Sequence, residues 1–221
     1  MRNKVKYQTL IFDLDGTLLN TLGDLACSVN AALSLSGYPE HSEEAVCRMV
    51  GNGIEDLVAR ALPGGRENPD FSAVFSSFRA HYAVHKADTT APYDGILPML
   101  DRLYAAGCRL AIVSNKIDPA VKELAAQFFG DTVHVAVGQR VGVPKKPAPD
   151  TVLIALRELG VTADGAAFVG DSEVDIATAA NAGIPCLSVG WGFRTAEELL
   201  AAGATRVIAT PSELTAWIFD E

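Results

Sequence analysis

Leu10-Ile11-Phe12-Asp13-Leu14-Asp15-Gly16-Thr17-Leu18-Leu19 is the stretch whose reading decides the fold. A short apolar run carries two aspartates, one residue apart, and stops at Gly-Thr. Such a run reads as a buried strand, and the glycine marks its end. In a buried parallel sheet a carboxylate is tolerated where the strand runs out. Asp13 and Asp15 are therefore expected at the carboxyl end of a central strand, where open α/β sheets place their ligands. Taken by itself the stretch has a plainer reading, a polar strand-to-turn junction.

Outward from it, the chain first turns helical. Leu22, Leu25, Ala26, Val29 and Leu33 recur at helical spacing, and Ser42 opens a second helix. Residues 54–62 carry a third apolar stripe, and Phe71, Val74, Phe75, Phe78 and Tyr82 share one face of a fourth helix. From Asp94 onward strands and helices alternate, with strands expected at 110–113, 133–137, 166–169, 186–189 and 207–208. That alternation implies a parallel sheet with helices on both faces. The expected class is α/β: a doubly wound, Rossmann-like parallel sheet from residues 1–19 and 88–221, with an all-helical domain, 20–87, inserted after the first strand.

The totals narrow the function classes. The 221 residues carry a net charge of −9, which argues against a nucleic-acid surface or a polybasic membrane patch, since both need clustered cations. No apolar run has the length of a membrane span. Met1 to Tyr7 is basic but leads straight into the Asp-bearing strand, so no signal peptide is expected. Cys27, Cys47, Cys108 and Cys186 form no C-x-x-C pair and read as small buried residues in a reducing compartment, the cytoplasm. The oligomeric state is not legible.

Several core strands end in polar groups. The first ends in Asp13 and Asp15, the next in Ser114-Asn115, and a later one in Gly170-Asp171-Ser172; Lys145-Lys146-Pro147 precedes a helix. In a doubly wound sheet these places converge on one crevice. Carboxylates gathered there would repel by about 4 kcal/mol per adjacent pair at an effective dielectric of about 20. A cation or shared protons must offset that. An all-oxygen ligand set suits Mg²⁺, and lysine, hydroxyl and amide groups suit the anionic oxygens of a phosphate. The pattern points to phosphoryl transfer.

D-L-D-G-T, S-N-K, K-P and G-D-S-E-V-D, in this order and at these strand ends, resemble the four motifs of the haloacid dehalogenase superfamily. The resemblance implies Asp13 as nucleophile and Asp15 as general acid and base. It implies Ser114 and Asn115 as phosphoryl-binding groups, Lys146 as the offsetting cation, and Thr17 as a residue that fixes the loop. Asp13, the backbone carbonyl of Asp15, and Asp171 would hold Mg²⁺, with Asp175 orienting them. The inserted helices resemble that superfamily's helical cap. Val50-Gly51-Asn52-Gly53 and the residues after it are similar to the phosphoglycolate phosphatase group, which makes Asn52 a candidate substrate contact; Asn20 stands where that group often has aspartate. The implied activity is Mg²⁺-dependent hydrolysis of a small phosphorylated metabolite, most simply 2-phosphoglycolate, through an aspartyl phosphate. A sugar phosphomutase, a pyrophosphatase or nucleotidase of the same superfamily, and a non-enzymatic phospho-acceptor are the alternatives.

Other features carry plainer readings. His81 and His85, at i and i+4, could share a metal, but with no H-E-x-x-H a wet helix face explains them. Trp191-Gly192-Phe193 follows a strand end and reads either as a border of the crevice or as a glycine turn between buried aromatics.

Overall fold

The computed structural model describes residues 5–220. Residues 1–4, which supply most of the basic stretch weighed against a signal peptide, lie outside the described residues, as does residue 221. The chain divides into two compact units. One is Asn20–Ala91; the other is formed by the chain up to Leu19 and from Pro92 onward.

The chain opens with β1 (Thr9–Phe12), entirely buried, and reaches the short strand β2 (Leu19–Asn20). The Asn20–Ala91 unit is then built from α1 (Leu22–Leu35), α2 (Glu43–Met49), α3 (Ile54–Ala61) and α4 (Phe71–His85), and it leaves through β3 (Ala91–Pro92), which pairs with β2. Ser42 starts α2 by accepting a hydrogen bond from the Ala45 N–H, the usual task of an N-cap serine. The helices close over a core that includes Leu25, Val29, Leu33, Val46, Val58 and Phe78. On α4 the inward face is Val74, Phe78 and Tyr82, the i, i+4 spacing that puts side chains on one stripe. Phe71 and Phe75 are partly buried against the same core.

One contact in this unit could not be read from periodicity. Asp24 is buried and accepts four hydrogen bonds, from the N–H and hydroxyl of Thr89 and of Thr90, at 2.6–2.9 Å. Burial opposes its charge, yet these donors outweigh it and hold the carboxyl below its ordinary value. The clamp ties the first turn of α1 to the chain 65 residues later.

After β3 come α5 (Ile96–Ala105), β4 (Arg109–Ile117), α6 (Asp118–Phe129), β5 (Val135–Gln139), α7 (Asp150–Leu159), β6 (Ala166–Gly170), α8 (Glu173–Ala182), β7 (Cys186–Val189), α9 (Ala196–Ala201), β8 (Val207–Ile208) and α10 (Pro211–Phe219). Six strands form a parallel sheet in the order β5-β4-β1-β6-β7-β8. The Asp-bearing strand lies inside it, with Phe12 opposite Ile112 on one side and Val169 on the other. A near-continuous apolar sequence is what a strand covered on both faces requires. On one face Ile11, Val113, Val137 and Phe168 meet Val152, Ala155 and Leu156 of α7.

Two strands differ from the sequence reading by more than one residue. The strand expected to stop at 113 continues to Ile117, because its pairing with β5 resumes at Ile117–Gln139 after a register shift. Ser114, Asn115 and Lys116 fill that irregular interval, all buried. The strand expected at 133–137 lies two residues later, at Val135–Gln139.

Candidate active site

β1 ends at Phe12, and the next residue still belongs to the sheet: the Asp13 N–H donates to the Val169 carbonyl at 2.9 Å. Asp13 is buried. Its Oδ1 takes the Leu14 N–H at 2.7 Å and stands 2.9 Å from Lys146 Nζ. Both contacts fall on one oxygen, which aims the carboxylate. After Asp15 the chain turns sharply at Gly16, whose φ of +85° favours glycine. A Cβ at Gly16 would also run into Asp171 Oδ2. The glycine of the Gly-Thr is thus required both by the backbone and by the acidic neighbour.

Lys146, in the loop before α7, is buried between carboxylates. Its Nζ lies 2.7 Å from Asp175 Oδ1 as well as 2.9 Å from Asp13 Oδ1. Burial alone would discharge an ammonium, but the two carboxylates prevail and raise its pKa, so the group stays protonated. Asp175 is held in turn by the start of α8. Its Oδ2 accepts the Ser172 N–H at 3.1 Å and the Ser172 hydroxyl at 2.6 Å, a capping box at the helix end. Gly170 makes room for it, since a Cβ there would overlap the Asp175 side chain.

Asp171 follows β6 and is also buried. The Thr17 hydroxyl donates to its Oδ1 at 2.7 Å, and the Phe193 N–H to its Oδ2 at 2.8 Å. Burial, with Asp175 nearby, pushes its pKa up to about 7, against the pull of those two donors and of Lys146. Asp13 is likewise raised, first by burial; Lys146 lowers it, while Asp175, Asp171 and Asp15 add to the rise.

Ligand oxygens of Asp13, Asp171 and Asp175 lie within 4.8 Å of one another, close enough to hold one metal ion. The donors are all carboxylate oxygens, the set preferred by hard ions such as Mg²⁺. Crowded buried carboxylates whose pKa values are driven up are what a divalent ion would relieve.

Asp15 is less buried. Lys116 Nζ stands 2.9 Å from its Oδ1, but as a charge contact outside hydrogen-bonding angles, for this buried oxygen has no hydrogen-bond partner among the described residues. Lys116 was visible in the sequence only as the third letter of S-N-K; its burial next to Asp15 is the signal that marks it.

Ser114 is buried, with its Oγ accepting the Lys116 N–H at 3.2 Å. Asn115 turns its carboxamide to the Lys146 backbone: Oδ1 accepts the Lys146 N–H at 2.8 Å and Nδ2 donates to the Lys146 carbonyl at 3.1 Å. The residues around Trp191 join the same site. The Trp191 indole N–H donates to the Thr17 carbonyl at 2.9 Å, and a Cβ at Gly192 would collide with the Gly16 carbonyl and with Asp171. Asp13, Asp15, Thr17 and Asp171 thus follow the carboxyl ends of β1 and β6, Lys146 reaches Asp13 from the loop before α7, and Ser114 and Asn115 lie in the last part of β4, where Asn115 holds Lys146. Asn52 belongs to the Asn20–Ala91 unit, in the turn between α2 and α3.

Residues 10–189 match the family profile of haloacid dehalogenase-like hydrolases. The chain belongs to this family. Within it, the chain is 36% identical over 219 residues to a phosphoglycolate phosphatase of Rhodospirillum rubrum, an alignment covering 96% of this chain and 90% of that one. A phosphoglycolate phosphatase of Chromobacterium violaceum is 33% identical, with 94% of each chain covered. Among solved structures, a Lactobacillus delbrueckii subsp. bulgaricus protein provisionally named phosphoglycolate phosphatase superposes with a TM-score of 0.93 at 32% identity, covering 97% of this chain and 99% of that one. CbbY of Rhodobacter sphaeroides, solved with phosphate, superposes with a TM-score of 0.76 at 26% identity, covering 94% and 96%. The haloacid dehalogenase-like core is thus the six-stranded sheet and its flanking helices.

Proposed function

We propose that this hydrolase is a Mg²⁺-dependent phosphatase of a small phosphorylated metabolite, with 2-phosphoglycolate as its substrate. The observation that carries the reading is the Asp13–Lys146–Asp175 array beside Asp171: one aimed carboxylate, one permanently charged ammonium and a further buried acid at strand ends. The names of the relatives support the substrate.

In this reading the Asp13 carboxylate attacks phosphorus and the ester P–O bond breaks. Asp15 gives its proton to the departing oxygen, then takes a proton from the water that attacks the aspartyl phosphate. That second step releases inorganic phosphate and restores Asp13. Lys146 and the polar groups of Ser114 face the transferring oxygens and offset their charge. Asp13 and Asp171, with the Asp15 carbonyl, would hold Mg²⁺, which supplies further positive charge to the phosphoryl oxygens. Asp175 orients Lys146, and Thr17 orients Asp171. Residues 20–87 are read as the domain that selects the leaving group, with Asn52 as its substrate contact. The working compartment is the cytoplasm, where the four cysteines remain thiols, although only Cys108 is buried as the sequence reading expected of all four and Cys27 is exposed.

A second reading has one observation in its favour: a variant of CbbY was solved with xylulose-(1,5)-bisphosphate, and the CbbY chain is 26% identical to this one. A panel of phosphorylated metabolites, assayed with Mg²⁺ and with EDTA, separates the two. The proposal expects kcat/KM to be highest for 2-phosphoglycolate and activity to vanish in chelator. A preference for a sugar phosphate would move the substrate to the second reading, and undiminished turnover in EDTA would remove the metal.

A further inference from the structure

Asn115 stands in the strand-end motif where the sequence led us to expect a group facing phosphate. Its carboxamide is engaged elsewhere. Oδ1 accepts the Lys146 N–H at 2.8 Å, and Nδ2 donates to the Lys146 carbonyl at 3.1 Å. One side chain thus satisfies both polar groups of a single backbone residue, and both residues are buried. Buried backbone N–H and C=O groups need partners. Lys146 lies in the loop between β5 and α7, so no strand or helix ladder supplies them.

We infer that Asn115 is a positioning residue for Lys146 and not a ligand of the phosphoryl group. The paired hydrogen bonds pin the Lys146 backbone to the end of β4. Lys146 lies 31 residues after Asn115, and from there its side chain must reach Asp13 at 2.9 Å and Asp175, 29 residues further on, at 2.7 Å. The two carboxylates come from the residue after β1 and from α8, and the lysine has no regular element of its own, so Asn115 supplies the anchor that brings three separate chain segments into register. A carboxamide suits this task because it presents one acceptor and one donor side by side, as a backbone amide does. Serine or alanine cannot make both bonds.

The inference rests on the phosphatase reading, in which Lys146 faces the transferring phosphoryl group. It is tested with a double-mutant cycle read by calorimetry, using inorganic phosphate as the probe in the presence of Mg²⁺. Asn115→Ala should weaken phosphate binding by about tenfold to a hundredfold, the range usual for residues that orient a functional group. In a Lys146→Met background the same substitution should change the affinity by less than about twofold, since nothing remains to be positioned. Melting curves establish that each variant is folded. If Asn115→Ala does not fold, Asn115→Ser carries the same cycle.

An equal loss in both backgrounds would overturn the inference by showing that Asn115 meets phosphate itself, and so would an unchanged affinity in Asn115→Ala. If Lys146→Met alone left phosphate binding unaltered, the phosphatase reading of the site would fall with it. If Lys146→Met weakens binding and the Asn115 effect is independent, that reading stands and only the positioning role is lost.

Discussion

Lys146 Nζ stands 2.7 Å from Asp175 Oδ1, with the two side chains 2% and 0% exposed. The same ammonium serves Asp13 at 2.9 Å. One buried cation therefore balances two buried carboxylates, and removing it is far worse than never having built the cluster. Lys146→Met is expected to destabilise the metal-free protein by about 3–5 kcal/mol, the usual loss when one partner of a buried ion pair is deleted. The loss should be smaller in Mg²⁺, which also neutralises Asp13. Denaturant unfolding of both proteins, with chelator and with Mg²⁺, measures it. Equal stability of variant and parent in chelator would contradict this account of the cluster.

Stability should also depend on pH with a definite sign. Burial, with Asp175 nearby, raises the Asp171 pKa to about 7, whereas an unfolded aspartate titrates near about 3.9. Between those values the folded protein holds a proton that the unfolded chain has released. Stability therefore falls as pH rises through this window, and the raised Asp13 acts in the same direction. In chelator the melting temperature should decline from pH 5 to pH 8, with a shallower decline in Asp171→Asn. Mg²⁺ should restore stability chiefly above pH 7, where Asp171 is ionised. A melting temperature that climbs over this range in chelator would contradict the assignment.

The fold was legible where the pattern is local. The i, i+4 stripe of Val74, Phe78 and Tyr82 sets the inward face of α4, and the apolar run before Asp13 marks a strand covered on both sides. Contacts between distant residues were not legible, because periodicity reports only which face a residue takes. Nothing near Asp24 in the sequence points to Thr89 and Thr90, and nothing near Asn115 points to the backbone of Lys146. Strand-end placement gathered Asp13, Asp171 and Lys146 as a group. It could not separate a residue that faces the crevice from one that holds its neighbour, and Asn115 shows the difference.

The segment around Trp191 behaves as part of the site. Gly192 lies where a Cβ would meet both the Gly16 carbonyl and Asp171, and the Phe193 N–H binds Asp171 Oδ2. Gly192→Ala should displace this hydrogen bond and raise the Mg²⁺ concentration needed for half-maximal activity by about tenfold or more. Calorimetric titration with Mg²⁺ alone gives the same comparison without turnover. Unchanged Mg²⁺ affinity would separate this loop from the acidic cluster.

Asp15→Asn should uncouple the two halves of the reaction. Among the described residues Asp15 Oδ1 is buried without a hydrogen-bond partner, and an amide in its place can neither give nor take the proton. Turnover should drop by about a hundredfold to ten-thousandfold, as is usual when a general acid or base is lost. In kcat/KM, which reports only the first half of the reaction, the drop should be smaller for substrates such as p-nitrophenyl phosphate, whose leaving group departs without a proton. A uniform drop across leaving groups would argue against Asp15 as the acid.

The central claim is that phosphorus passes through the side chain of Asp13. The most direct measurement is peptide mass spectrometry of the Asp15→Asn protein, quenched in acid during turnover with substrate and Mg²⁺. The account predicts one added phosphoryl group on the peptide containing Asp13, labile to base and absent from Asp13→Asn. Steady turnover with no such adduct, or a phosphoryl group on any other residue, would contradict it.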